Sequence, residues 1–481
     1  MSARSSDVPR ARGTNQTAKK GLTATEIYAL VFGLFLGLAI LKFGNPAILD
    51  QVIESPSSFS ELLKEPWPLH WANALLAVLT VLGAVVGFAS KVRWAGPRSL
   101  WVLPLVWFVW QLLSATQSVD TRLTAIILCQ LGGSAACYFL GAMVVGKGEG
   151  WRLVMVGVLA ALAYCLVRAV DQKFFEFPRE RQLMIESEHV GWTNLPPDLV
   201  LEMKHDRLII SSNGVDIANP LIMQKYEKGR VHGTLVYPNA LAGAVLLLLP
   251  MGLVAVFDTT RNLRRLTCVV AMGLAMFLGA TALFASGSKG GWLIALAAGA
   301  FWLLRLNWPR RFKWLMIAAL IAGGLVVFAV RFQSYFAKGA TSVGARFDYW
   351  RVAARIAAEK PVFGSGPGTF QRPYERLKRP EAEMARLVHN DYLEQFSDSG
   401  LIGGLAYVAW IVLILAFIGR RLWRPGSWLE FAVLVGLIAW FVQGLMEFSL
   451  YVPALAWTAF TLAGCLLHRA ANQFDKPFPA N

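Results

Sequence analysis

The stretch VYPNALAGAVLLLLPMGLVAVF, residues 236–257, contains no charged side chain. A helix rises 1.5 Å per residue, so roughly 20 such residues cross a ~30 Å hydrocarbon core. Apolar residues here do not alternate with polar ones, which excludes a strand of a membrane barrel. In lipid every backbone N–H and C=O must be bonded inside the segment, and for a single non-alternating run that leaves the α-helix.

Similar runs recur on both sides of this one. They lie at about 24–42, 71–90, 99–114, 122–145 and 151–170 before it, and at 267–286, 290–305, 314–331, 399–418, 429–447 and 450–468 after it. The expected fold class is therefore all-α: a polytopic integral membrane protein with about twelve transmembrane helices. Composition agrees, since 56% of residues are hydrophobic and only 16% charged. Soluble domains carry roughly 25% charged residues. The tightest divisions are the hinges Ser286 to Gly291 and Glu447 to Tyr451.

The formal net charge of +16 raises the question of nucleic acid. The basic residues stand in short segments between apolar runs, the pattern of cytoplasmic loops rather than of a basic groove, so nucleic-acid binding is set aside. The clusters are the tail up to Lys20, then Lys91–Arg98, Lys147 and Arg152, Arg261–Arg265, Arg305–Lys313 and Arg420–Arg424. With twelve spans all of them fall on one side, which the positive-inside rule makes cytoplasmic together with both termini. The first run ends without a small-residue cleavage site and reads as an uncleaved span. Cys129, Cys137, Cys165, Cys268 and Cys465 all lie in apolar runs with no C-x-x-C pair. That argues against a zinc site or a disulfide framework and favours helix packing.

The expected organisation is a polar cytoplasmic tail (1–23), helices 1–5 (24–170), a periplasmic loop (171–235), helices 6–9 (236–331), a large periplasmic loop with amphipathic helices (332–398), helices 10–12 (399–468) and a cytoplasmic tail (469–481). Both long loops carry charges of each sign. In the second, Arg346-Phe347-Asp348-Tyr349-Trp350 opens a stretch of helical spacing that Pro361 ends. Tyr349 and Trp350 suit an interfacial anchor there.

The spans as bounded are almost free of ionisable residues, which counts against a pump or coupled transporter with a midplane site. The polar clusters gather at the outer face. Gly229-Arg230-Val231-His232-Gly233-Thr234 precedes Tyr237-Pro238-Asn239-Ala240-Leu241-Ala242. Arg230 either snorkels at the mouth of its span or meets an anion. Ser286-Gly287-Ser288-Lys289-Gly290-Gly291 is either a tight glycine turn or a set of N–H groups and one cation facing an anion. A third cluster comprises Arg346, Trp350, Arg351 and Arg355, the run Pro361-Val362-Phe363-Gly364-Ser365-Gly366-Pro367-Gly368-Thr369-Phe370, and His389-Asn390-Asp391-Tyr392-Leu393-Glu394.

In order, these are R-x-x-G-T with P-N-A-L-A, S-K-G, R-x-x-x-W, P-V-F-G-x-G-x-G-x-F, and H-N-D-Y-L before G-L-I-G. The series, over residues 229–404, resembles the O-antigen ligase family, which includes O-antigen polymerases and protein O-oligosaccharyltransferases. The resemblance implies glycosyl transfer from an undecaprenyl-diphosphate-linked glycan to a hydroxyl acceptor on a glycolipid, glycan or protein, at the periplasmic face of the bacterial inner membrane. Carried over by motif, the catalytic residues would be Arg230, Arg346 and His389. Lys289, Asn239, Asn390, Arg351 and Trp350 would bind substrate. Many members have arginine where this chain has Lys289. Lysine screens phosphate as a point charge and lacks the bidentate grip.

The residue types suit the chemistry. Arginine pairs bidentately with phosphate oxygens and stabilises charge on a leaving diphosphate. A histidine can take the acceptor proton. No D-x-D pair occurs in either long loop, so a metal-independent route without cofactor is expected. A ligase and a polymerase differ only in acceptor, and the pattern sits closer to the ligase. A small-solute or anion transporter and a polysaccharide-export scaffold are the readings from other classes.

Overall fold

The computed structural model describes residues 21–90, 96–212, 214–337, 341–423 and 427–472. The basic tail up to Lys20, Lys91, Arg93, Arg424 and residues 473–481 lie outside the described residues. A helix occupies each of the apolar runs. In chain order the helices are α1 (Ala24–Lys42), α2 (Phe59–Lys64), α3 (Leu69–Ala89), α4 (Ser99–Ala115), α5 (Thr121–Leu140) and α6 (Gly150–Asp171). Next come α7 (Phe177–His189), α8 (Pro197–His205), α9 (Pro220–Lys228), α10 (Pro238–Thr260), α11 (Arg265–Ser286) and α12 (Lys289–Arg305). The last are α13 (Arg310–Ala337), α14 (Thr341–Glu359), α15 (Gln371–Leu377), α16 (Asp391–Leu422), α17 (Trp428–Gln443) and α18 (Pro453–Asn472).

Among the described residues eight helices are long and apolar enough to cross a membrane, and α4 and α17 are shorter apolar helices. The outward faces explain why. Phe88 is 90% exposed and Val330 72%, within helices that have few buried positions. A continuous apolar surface of this kind would be untenable in water and is what a lipid-facing wall requires. In contrast α18 is buried along nearly its whole length, and protein rather than lipid surrounds it. Lipid offers no hydrophobic drive to bring helices together, so close packing must do it. Gly33 and Gly37 of α1 face α6. A Cβ on Gly33 would lie 2.5 Å from Cα of Val154, and one on Gly37 2.5 Å from the carbonyl oxygen of Gly157.

The loops sort to two ends of the bundle. At one end Trp67 N–H donates to Lys42 O, Thr234 Oγ1 to Ile40 O, Val119 N–H to Ser365 O and Gln130 Nε2 to Leu450 O. At the other, Lys147 Nζ donates to Ser90 O, and Arg469 pairs with buried Glu430.

The first long loop begins as helix. After α6 the chain widens into one π-helical turn (Gln172–Glu176) and continues as α7 to His189. A hairpin of β1 (Ile209–Ser212) and β2 (Val215–Ala218) pairs Ile209 with Ala218 and Ser212 with Val215. It shares a small core with Met184, Trp192 and Met203. The second long loop has its own core of Tyr349, Val352, Ala353, Ile356, Phe370, Tyr374 and Val388. Tyr349 is thus an interior residue of this loop rather than a membrane anchor.

Helix α16 starts eight residues before the span boundary read from hydropathy, and Gly400 (φ 68) kinks it. This first segment buries Asp391, Glu394 and Asp398.

Candidate functional site

Arg230 follows α9, which ends at Gly229 in the left-handed region (φ 55). Its guanidinium donates from Nε to the Ser286 carbonyl at 2.8 Å and from Nη2 to Asn239 Oδ1 at 2.8 Å. Burial pushes its pKa down, while Tyr237 and Glu447 favour the charged form. A guanidinium titrates so far above neutrality that it remains charged at neutral pH. Asn239 is held in place by the Pro238 start of α10, where the fixed φ of proline suits the first helical position.

Gly287 closes α11 with φ 63. A Cβ there would lie 3.1 Å from Arg230 Nε, so the turn also makes room for the arginine. Ser288 caps α12 by accepting the N–H of Gly291 at 3.2 Å. Lys289 and Gly290 then form the first turn of α12, whose N–H groups have no helical partners and carry partial positive charge. The Lys289 ammonium lies 3.9 Å from the centre of the Tyr335 ring.

Arg346, on α14, donates from Nη2 to Glu447 Oε1 at 2.5 Å and from Nε to the Met446 carbonyl at 3.1 Å. Asn239 Nδ2 donates to the same Glu447 oxygen at 2.8 Å. Glu447 sits in the hinge between α17 and α18, with its side chain 9% exposed.

His389 has φ 55, a conformation that costs most non-glycine residues energy and persists where the surroundings enforce it. Its neighbours do so. Val388 N–H donates to Glu394 Oε2 at 3.1 Å. The Asn390 side chain caps α16 by accepting from Tyr392 and Leu393. Asp391 N–H donates to Gly444 O at 2.7 Å, and its carboxylate accepts Leu450 N–H at 3.1 Å. Asp391 therefore ties the His389 segment to the hinge that carries Glu447. The His389 ring stacks on Tyr349 with centroids 5.7 Å apart. Its Nδ1 is 3.6 Å from Glu447 Oε2, and both atoms are buried without a hydrogen-bond partner.

These groups line one cavity of about 510 Å³ at the loop end of the bundle. Arg230, Asn239, Lys289, Arg346, His389 and Glu447 form its polar side. Leu293, Phe328, Phe336 and Met446 form an apolar wall. Three cations and the N-terminal end of α12 face the space with two carboxylates, Glu447, which pairs with Arg346, and Glu383, which accepts from the Tyr349 hydroxyl, so the balance favours an anion.

Three residues singled out for substrate binding lie outside the lining. Asn390 spends its side chain on the α16 cap. Arg351 is exposed and pairs with Asp348 at 3.3 Å. Trp350 packs edge-on against Phe347. His232 is also elsewhere, against Phe177. Burial, with Lys225 nearby, lowers its pKa to about 4.

The glycine run 361–370 turns N–H groups to the chain itself. Ser365 and Gly366 donate their N–H groups to the Ser397 and Asp398 carbonyls at 2.9 Å, and Gly368 donates to Asp398 Oδ2 at 2.7 Å. The run is a clamp on the kink of α16. Glu447 was missed by sequence reasoning, which treated it as one end of a hinge. The available signal was a lone carboxylate between two apolar runs, since a buried carboxylate needs a cation or donors.

Two comparisons with known proteins bear on this geometry. A protein of Haemophilus influenzae described as uncharacterized is 28% identical over 153 residues, covering 27% of this chain and 38% of that protein. The chain thus spans well under half the length of this relative. The family model described as O-antigen ligase matches residues 274–408, the stretch that supplies Lys289, Arg346 and His389 to the cavity. Residues 274–408 carry an O-antigen ligase family domain.

Proposed function

We propose that this protein transfers a glycan from a polyprenyl-diphosphate carrier to a hydroxyl acceptor, in the manner of an O-antigen ligase. The bundle crosses the bacterial inner membrane twelve times, with both termini cytoplasmic and the cavity on the periplasmic face. One observation carries the reading: Arg230, Lys289, Arg346 and His389, far apart in sequence, line a single cavity.

In this reading the diphosphate lies against Arg230, Lys289 and the start of α12. Arg346 stabilises the charge that grows on the leaving oxygen. His389 accepts the proton of the acceptor hydroxyl as that oxygen attacks the anomeric carbon. Side chains supply the charge compensation, so the reaction proceeds without a metal. The acceptor is a finished glycolipid such as lipid A–core, as for a ligase, rather than another carrier-linked repeat.

The test is reconstitution with a polyprenyl-diphosphate glycan and candidate acceptors, with the product identified by mass. His389→Ala and Arg346→Ala are each expected to lower the rate of transfer by about a hundredfold or more. Transfer at the wild-type rate in both variants would overturn the mechanism.

A further inference from the structure

The carboxylate of Glu447 is used unevenly. Oε1 accepts from both Arg346 and Asn239. Oε2 is buried and bonded to nothing, and it faces His389 Nδ1, also buried and unbonded, at 3.6 Å. That separation is too long for a hydrogen bond, and a small rotation of either side chain would close it. An unpaired buried oxygen is costly, and the group within reach of this one is an imidazole that can become a cation. We propose that Glu447 is a shared counter-ion that exchanges Arg346 for the His389 imidazolium during transfer, and so releases Arg346 to the departing diphosphate.

The proposal rests on the transfer reaction above and follows from its charge balance. A diphosphate diester carries two negative charges, which Arg230 and Lys289 can match while Arg346 stays paired with Glu447. In the reaction the acceptor O–H bond breaks and its proton goes to His389 Nε2. The acceptor oxygen bonds to the anomeric carbon. The bond from that carbon to the diphosphate oxygen breaks, and its electron pair stays on the diphosphate. The leaving group thereby gains a third negative charge while His389 gains a positive one. A neutral histidine with its proton on Nδ1, turned toward Oε2, presents Nε2 as the base. If Glu447 then shifts its pairing from Arg346 to the imidazolium, both new charges are neutralised with no change in the net charge of the site. Glu447 touches neither substrate and acts as a positioning residue.

Glu447→Gln tests the exchange, since the amide keeps an acceptor oxygen for Asn239 but loses the charge. Inorganic pyrophosphate is the binding probe, measured beside kcat for glycan transfer. Pyrophosphate is expected to bind on the order of tenfold more tightly, because Arg346 loses its competing anion. The kcat is expected to fall on the order of a hundredfold. Affinity and turnover falling together, or neither changing, would overturn the proposal. Glu447→Asp, which keeps the charge on a shorter stem, should leave pyrophosphate affinity within a few-fold of the wild type; tightening equal to that of Glu447→Gln would count against it. The double variant His389→Ala/Glu447→Gln should turn over no more slowly than His389→Ala alone, and independent multiplied losses would contradict the coupling. Should the wild-type protein transfer no glycan, the functional reading fails, and the pyrophosphate arm alone decides the exchange.

Discussion

Two glycine-bearing strings lie at the loop end of this molecule, Ser286–Gly291 and Pro361–Phe370, and they have opposite fates. The first turns between α11 and α12 and leaves the N–H groups of Lys289 and Gly290 at the cavity wall. The second spends its N–H groups on the Ser397 and Asp398 carbonyls and the Asp398 carboxylate. A Cβ on Gly364 would lie 2.4 Å from Ser397 O, and one on Gly400 would lie 2.4 Å from Val362 O. Glycine in the first string serves a turn and a neighbouring arginine, whereas in the second it lets two backbones touch. A glycine run is therefore a ligand loop only if its N–H groups remain unspent, and that depends on what packs against it.

This contrast can be broken or sharpened by mutation. The largest effect is expected outside both strings, at the group the first string faces. His389→Ala should lower kcat by about 10²- to 10⁴-fold, the range for a general base, with pyrophosphate binding retained. Comparable losses in binding would mean the histidine holds the cavity together. Next is Gly364→Ala in the clamp. Backbone overlap and φ 64 should lower stability by about 1–3 kcal/mol or prevent folding, read by thermal unfolding in detergent. A stable Gly364→Ala protein with altered pyrophosphate affinity would reverse the assignment of the two strings. Smaller still is Gly287→Ala, where the near neighbour is a side chain that can shift. About 1 kcal/mol of stability should be lost, with pyrophosphate binding weakened a few-fold through Arg230. Arg351→Ala should change transfer by less than about twofold, since an exposed i,i+3 pair is worth roughly 0–1 kcal/mol.

Much of the site was legible as residue types in order. Arg230, Lys289 and His389 were marked as polar residues near the edge of an apolar run and Arg346 as the start of an amphipathic stretch in the second long loop, and all four line the cavity. Trp350 and Arg351 were drawn in by proximity to Arg346. Arg351, five positions along the helix, points to another face and pairs with Asp348, whereas Trp350, four positions along and near the same face, packs against Phe347 instead of entering the cavity. Asn390 follows His389 directly, yet its side chain fits a helix cap, a role that asparagine favours. Glu447 had no motif around it. Its importance comes from Arg346 and His389, which are 101 and 58 positions away in the chain.

The sequence by itself determined the helices and their approximate ends. Long apolar runs have one way to satisfy their backbone in lipid, and that requirement is local. It also determined which polar residues stand near the ends of the apolar runs, because hydropathy marks those ends. Only the tertiary structure decided which of them meet. Whether N–H groups are spent or free, and whether a carboxylate lies beside an arginine or a histidine, depends on how helices pack across the bundle. Glycines at 33, 37, 364 and 400 set part of that packing through backbone contacts of about 2.4–2.5 Å for an added Cβ. Such contacts join residues 33 to 121 positions apart in the chain, and no local pattern encodes them.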